Sequence, residues 1–473
     1  MLDALARHLA GSVILAQHNS YESAAQMHFT EFDAIRPAAV AMCKSVEDVR
    51  RCIAFAQHHG IHSAVRSGGH SFAGFSTTEG LVIDLSQLDW VNVAPRATLL
   101  SPGAQYVDIL HHMWPYGATT ASGRCPTVCA GGYLLAGGIG WTSRKFGLAV
   151  DRLVSATVVL ADSSVVQCTE AQEPELFWAL RGAGSGSYGV VTEFEIEHLS
   201  LRRMVNYWIT WPWDAAADVV SAWQTWIVEG SDDLGSELGI DTLDVAGREP
   251  PKVAVFGGWL GDTQTLRSHL AALVASVGRR PHASTVRDAS YLDAMMDWFR
   301  CTGKTLRQCH RVGRNDEADM PRDKYFVHRS TLMSSALPSQ GLESLLAAFM
   351  SDPQPNESRY LGLFAVGGQT NRVPRNATAY VHRTSEFVFN CSAGLPTERT
   401  ADAETAAVAW ATNCYNLARP FSNGETYQNF VDRRLDNWQQ AYYAENYPRL
   451  VAAKRRYDPH DFFHHQQSIR TYQ

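Results

Sequence analysis

RSGGHSFAG (residues 66–74) sets the adjacent Gly68 and Gly69, followed by His70, in a turn between two strands. HSAVR (62–66) reads as the strand before it and LVIDL (81–85) as the strand after it. Residues 45–60 read as a helix: Ser45 with Asp48 makes a capping box, Val49, Ile53 and Ala54 give an apolar face, and Gly60 stops it. Adjacent glycines free successive backbone N–H groups to face an anion. His70 has no apolar periodicity around it. Taken alone, it would be a surface histidine in a tight turn.

Further along, Ser101-Pro102-Gly103 is expected to open a helix through Met113. GRCPTVCAGGYLLAGGIGWTSRKFGLAVD (123–151) then sets Cys125 between Gly123 and Pro126, in a loop, where a thiol is more reactive than in a core. SATVVLA (155–161) is a β-branched strand, and Pro174 to Arg181 is a short helix closed by Gly182. GSGSYG (184–189) matches G-x-G-x-x-G, but a helix precedes it and the strand YGVVTEFEIEHL (188–199) takes in its end and runs on beyond it. That is the reverse of the dinucleotide-binding order, so a Rossmann site is not expected. Its glycines still suit a backbone nest for pyrophosphate.

The whole chain has 473 residues, 45% hydrophobic and 19% charged, which is globular composition for two or three domains. Lys plus Arg is 41 against 48 Asp plus Glu, a net charge of −7 that does not suggest nucleic acid as partner. No apolar run reaches the roughly 18 residues of a membrane span. The N-terminus shows no basic segment followed by a clean apolar one, so a cytoplasmic protein is expected. The nine cysteines are expected to be mostly free thiols. Cys301, Cys309 and His310 fit no zinc spacing, and no metal is expected. Tryptophans cluster at 208, 211, 213, 223 and 226; with Val219, Val220, Trp223, Trp226 and Ile227 at helical spacing, core packing is the plainer reading than a stacking platform for a ligand. The chain ends in WQQAYYAENY, an expected break at Pro448, and RLVAAKRR.

Together these blocks resemble the vanillyl-alcohol-oxidase superfamily of FAD-binding proteins, and within it the berberine-bridge-enzyme-like oxidases. RSGGHSFAG is similar to the loop whose histidine bonds the flavin 8α carbon. G-x-C-P-T-V is similar to the loop whose cysteine bonds flavin C6, although Cys129 is a second thiol four residues on. LRGAGSGSYGVVTEFEIE resembles the segment near the adenosine half, and residues 443–469 resemble the C-terminal signature. The resemblance implies an α+β fold. A two-part FAD-binding domain (1–201 and a returning segment, 419–473) would flank a substrate domain (202–418) with a central antiparallel sheet and flanking helices. FAD would be attached through His70 and Cys125. Arg66, Ser67, Gly68, Gly69 and Ser71 would cradle the pyrophosphate. Gly131, Gly132, Gly137, Gly138 and Gly140 would bring backbone close to the flavin ring, and Gly189 and Val191 would lie near the adenosine or ribityl part. The chain departs from the family pattern at Cys129, Tyr133, Ala136 and Asp461.

TYQNFVD (426–432) resembles the family's Tyr-x-Asn-Tyr-x-Asp signature, with Phe430 in place of its second tyrosine. Tyr427 is then either the base or a buried structural tyrosine; as base it needs help, since a free phenol titrates near pH 10. The resemblance also makes Tyr360 a catalytic candidate, Gln369 and Asn371 substrate contacts, and Phe72 and Phe430 walls of the pocket. Val128 holds the place that shapes the oxygen site, and a small residue there goes with dioxygen as acceptor. The implied activity is oxidation of an alcohol or hemiacetal carbon of a sugar or of a glycosylated or polyketide-type natural product, in a biosynthetic tailoring step, with H2O2 as product. The alternatives are an oxidative cyclase using the same flavin and a flavin-retaining binder without turnover. Partners would be the small-molecule substrate and O2, with a monomer or homodimer as the assembly.

Overall fold

The computed structural model describes residues 2–184, 186–247 and 249–472, so Ser185 of the GSGSYG segment lies outside the described residues. The first of three sheets holds β1 (Ser12–Ile14), β2 (Ala39–Met42), β3 (Ser63–Arg66) and β4 (Leu81–Asp84), in the order β1-β2-β4-β3. β2, β3 and β4 run parallel. The Val46–His59 helix lies between β2 and β3 in the chain, as its caps dictate: Ser45 accepts from the Asp48 N–H, and Gly60 is left-handed at φ 62°. The Asp48 carboxylate does not close a capping box. It accepts from the amides of Ala10, Gly11 and Lys44 and so ties down the N-terminal segment.

The second sheet holds β5 (Val91–Val93), β6 (Ala97–Leu100), β7 (Leu153–Val159), β8 (Val165–Cys168) and β9 (Val190–Glu197), in the order β5-β6-β9-β7-β8. Between β6 and β7 the helix expected from Ser101 begins only at Tyr106. The reason is that the Ser101 and Gly103 amides bond back to Trp90 and Leu88. The glycine-rich run carries an unexpected helix, Ala130–Leu135. Its glycines oppose a helix locally; bonds from the Ala130 and Gly131 amides to Ala104 and Pro102 hold its start.

The third sheet is antiparallel throughout. It comprises β10 (Arg203–Trp211), β11 (Leu234–Thr242), β12 (Lys252–Trp259), β13 (Ala283–Ser290), β14 (Tyr325–Met333), β15 (Ser358–Ala365) and β16 (Phe387–Leu395), ordered β13-β10-β12-β11-β15-β16-β14. Helices Ala216–Val228 and Ala401–Ala418 lie against it, Ser339–Phe349 packs on both of these helices, and Val219, Val220, Trp223 and Ile227 are buried. The register puts Asn206, Trp208, Phe256, Glu237, Tyr360, Phe364, Val388 and His328 on one face. That face meets the 123–151 segment, where Trp141 stacks on Phe364 and Arg124 pairs with Glu237.

The C-terminal segment returns to the first two sheets. Lys454 is wholly buried and donates to Asp458, Ser187 O and Phe463 O, each at 2.7 Å. Pro448 does not break a helix; it lies in the first turn of Tyr447–Tyr457, where its missing N–H costs nothing. Cys301 and Cys309 form a disulfide, and the other seven cysteines are free, so most of the thiols are free as expected. Among the described residues no group of His, Cys, Asp or Glu could hold a metal ion, and no helix is long and apolar enough to cross a membrane.

Candidate active site

A cavity of about 1170 Å³ runs between the glycine loops and the third sheet. Ser67, Gly68, Gly69, His70 and Ser71 form one wall, and Cys125, Val128, Gly131, Gly132 and Gly140 another. Gly189 and Val191 line one end, with Phe463 and His465 beside them. Trp208, Arg287, Trp298 and Phe364 line the other. Tyr427, Asn429 and Phe430 reach it from the C-terminal segment, and Phe72 from the histidine loop.

The walls suit a large anionic cofactor. Among the described residues, no protein group accepts from the amides of Gly68, Gly69, His70 or Ser71. Gly69 has φ 70°, the left-handed geometry that turns successive N–H groups inward as an anion nest. A Cβ at Gly132 would meet nothing within 4 Å, so its backbone is bare toward the cavity, whereas one at Gly131 would strike Ser67 Oγ at 2.7 Å. These donors and this volume fit FAD.

His70 and Cys125 meet through Thr127. His70 Nε2 lies 2.9 Å from Thr127 Oγ1, and Cys125 Sγ lies 3.4 Å from the same hydroxyl. The bond engages Nε2 and leaves Nδ1 as the free ring nitrogen. Burial, with His28 and Arg311 close by, holds the His70 pKa well below its ordinary value, so the ring is neutral. Burial also pushes the Cys125 thiol up, with the Thr127 hydroxyl opposing. Cys129 is more deeply buried; its thiol donates to Gly103 O and is pushed up to about 12 by burial.

Three donors converge on the Tyr427 hydroxyl oxygen: the Gly138 N–H at 2.9 Å, the Ile139 N–H at 3.3 Å and Asn429 Nδ2 at 2.9 Å. Such donors favour the phenolate. Burial outweighs them and holds the pKa above the ordinary value. Gly138 adopts φ 82°, where a side chain would be strained and would strike Tyr133 and Ala149.

On the sheet face, Trp208 stacks on Phe256 at 4.3 Å and remains 42% exposed. Trp298 closes the corner, 6.1 Å from Trp208, and donates to Asn206 Oδ1 at 2.8 Å. The Arg124 guanidinium lies over Trp141 and Phe256 and pairs with the buried Glu237 carboxylate at 2.9 Å. The tryptophans therefore divide. Trp211 and Trp223 are core, as read from sequence, but strand alternation turns Trp208 into the cavity.

Other expected residues lie away from the cavity wall. Arg66 is buried behind it, pairing with Asp84 at 2.6 Å. Gly137 packs against Tyr380 and Tyr427. Tyr360 lies across Gly239 and Gly362 and donates to Glu237 Oε1. Asn371 bonds Ser385 O and Glu386, and Gln369 sits beside it in the Gln369–Arg372 turn beyond β15. The sequence reading missed Trp208, Trp298, Arg124, Glu237, His28 and His328. Period-2 alternation along β10 and β11 was the one local signal for Trp208 and Glu237.

Comparison with known proteins agrees with this geometry. A family profile described as FAD binding domain matches residues 37–169, and one described as berberine and berberine like matches 426–470. The chain is 29% identical to a xylooligosaccharide oxidase of Thermothelomyces thermophilus, over 92% of this chain and 87% of that one. It superposes on Physcomitrella patens BBE-like 1 with a TM-score of 0.90 at 21% identity, covering all of both chains. It also superposes on the glucooligosaccharide oxidase of Acremonium strictum with a TM-score of 0.86 at 22% identity and 99% coverage of each. The structure of that enzyme is described as bearing a 6-S-cysteinyl, 8α-N1-histidyl FAD. These two superpositions establish the fold. With both family segments in order and 92% of the chain matched by an FAD-linked oxidoreductase, the chain carries an FAD binding domain and a berberine-like segment, and it is an FAD-dependent oxidoreductase similar to the berberine-bridge-enzyme-like proteins.

Proposed function

We propose that the protein is an oxidase that takes a hydride from an alcohol or hemiacetal carbon of a sugar or glycosylated small molecule, with dioxygen as final acceptor. The observation that carries this reading is one continuous cavity. It joins the His70–Thr127–Cys125 cluster, the Tyr427 hydroxyl and a sheet face rich in tryptophan and hydrogen-bonding groups. When bound, FAD supplies the hydride acceptor and the route to dioxygen. His70 Nδ1 and Cys125 Sγ hold it covalently, and the bare amides of residues 68–71 bind its pyrophosphate. Cys125 is favoured over Cys129 because Cys129 is tied to Gly103 O and more deeply buried. Tyr427, deprotonated, takes the hydroxyl proton of the substrate, and its three donors stabilise the phenolate that does so. Trp208 stacks on a pyranose ring, and Arg124 and Asn206 bond its hydroxyls. Val128 is small and leaves room for dioxygen.

The test is H2O2 release from a panel of mono- and oligosaccharides, glycosides and simple alcohols, with NMR of the product. A new lactone or carbonyl on a sugar ring supports the reading. Turnover confined to apolar alcohols overturns the substrate class.

A further inference from the structure

His28 stands against His70 with its rings nearly parallel: centroids are 3.9 Å apart and the planes differ by 25°. It is placed there by backbone, since its N–H donates to Gly69 O at 2.9 Å. Its Nε2 lies 3.1 Å from Asp323 Oδ2. A bridge between Phe29 and Asp323 holds that contact, together with the bond from the Thr30 N–H to Asp323 O. Arg322 adds a clamp, bonding Met27 O and pairing with Asp33. His28 is only 7% exposed and lines the cavity, yet its Nδ1 has no partner. A buried ring nitrogen without a partner is costly, and here it sits beside the histidine that is to be alkylated.

We propose that the Asp323–His28 pair is the general base for covalent attachment of the flavin to His70. This rests on the reading of His70 as the attachment site. A carboxylate accepting from Nε2–H fixes the tautomer of His28 with a bare lone pair on Nδ1 and stabilises the imidazolium that forms, as a carboxylate does for a catalytic histidine. His70 Nδ1 bonds to the 8α carbon. A C–H bond at that carbon breaks, its proton passing to His28 Nδ1, and the His70 Nε2 proton leaves along the Thr127 hydroxyl. The electron pair from the C–H bond and two protons leave with dioxygen as H2O2, so one C–N bond replaces one C–H and one N–H, and the flavin ends oxidised. His28 therefore serves the maturation of the enzyme and need not act in turnover.

The experiment uses Cys125→Ser as parent, so that His70 carries the only acid-stable link. Parent, Cys125→Ser/His28→Ala, Cys125→Ser/Asp323→Asn and Cys125→Ser/His70→Ala proteins are incubated with excess FAD in air. Intact mass and the absorbance of acid-precipitated protein follow covalent FAD over time, and absorbance before precipitation reports dissociable FAD. Expected are full coupling in the parent, none without His70, and coupling at least tenfold slower without His28, restored by free imidazole. The Asp323→Asn protein, whose substituted side chain is 62% exposed, should also couple more slowly. Coupling without His28 at the parent rate overturns the proposal, as does slow coupling that imidazole does not restore. If the His28 variant holds no FAD at all, the Asp323 variant decides: parent-rate coupling there overturns the proposal. A parent without acid-stable FAD, or a His70 variant that keeps it, instead removes the His70 assignment and this proposal with it.

Discussion

The Gly138 amide donates to the Tyr427 hydroxyl oxygen at 2.9 Å, across 289 residues of sequence. The contact makes the glycine run and the C-terminal signature two halves of one site. A side chain at Gly138 would be strained at φ 82° and would displace the loop that carries the donor. Asn429 adds a third donor from the same short segment as Tyr427.

If Tyr427 is the base, Tyr427→Phe should lower kcat by about 100- to 10000-fold, the range of general-base contributions, with little change in KM and full FAD content. Asn429→Ala makes the sharper test. Burial already holds the Tyr427 pKa above the ordinary value, and Asn429 is the strongest of the groups opposing it. Losing that donor raises the pKa further. A base must be deprotonated to act, so the rising limb of kcat/KM against pH should move to higher pH.

Trp208 is the exposed aromatic of the sheet face, and its ring already rests on Phe256. Trp208→Ala should raise KM by roughly 5- to 30-fold, corresponding to about 1–2 kcal/mol of lost stacking. Steady-state kinetics should show kcat within about threefold of wild type, since the tryptophan binds the ring and takes no part in the proton transfer.

His328 packs beneath the site between Phe72 and Phe430, with Nδ1 on Ser392 and no partner for Nε2. Burial holds its pKa down to about 3. A histidine depressed in the folded state contributes stability that is complete above the unfolded pKa near 6.5 and is lost as pH falls toward the folded value. Between pH 6.5 and 4 the loss should reach about 3 kcal/mol. His328→Gln should flatten the stability curve in that window, as read by urea unfolding at successive pH values.

Lys454 and Asp458 form a wholly buried pair that fastens the last residues to Ser187 and Phe463. Lys454→Met leaves the Asp458 carboxylate buried without its cation. The expected cost is about 3–5 kcal/mol, measured as a lower unfolding midpoint in the FAD-loaded protein.

Local features of this molecule were legible from sequence. The Ser45 cap, the Gly60 stop, the two glycine turns and most strand cores depend on neighbours within a few residues, and the structure has them close to where they were read. The Ala130–Leu135 helix was not legible, because its glycines oppose it and distant carbonyls hold its start. Pro448 signals both a break and a helix start, and the buried face of Tyr447–Tyr457 decided between them. The histidine and cysteine loops were read through resemblance, whereas their surroundings were hidden. His28 meets Asp323 across 295 residues, and Arg124 meets Glu237 across 113. Trp208 sits in a strand with aromatics on both faces, so composition could not say which face the cavity takes.

The central claim is that one FAD is held at two points, His70 and Cys125. The most direct measurement is intact mass with acid precipitation on wild type, His70→Ala, Cys125→Ala and the double variant. The account predicts one FAD retained in the wild-type pellet and in either single variant, and none in the double variant. Flavin that washes out of the wild type on acid treatment, or that stays bound in the double variant, would contradict it.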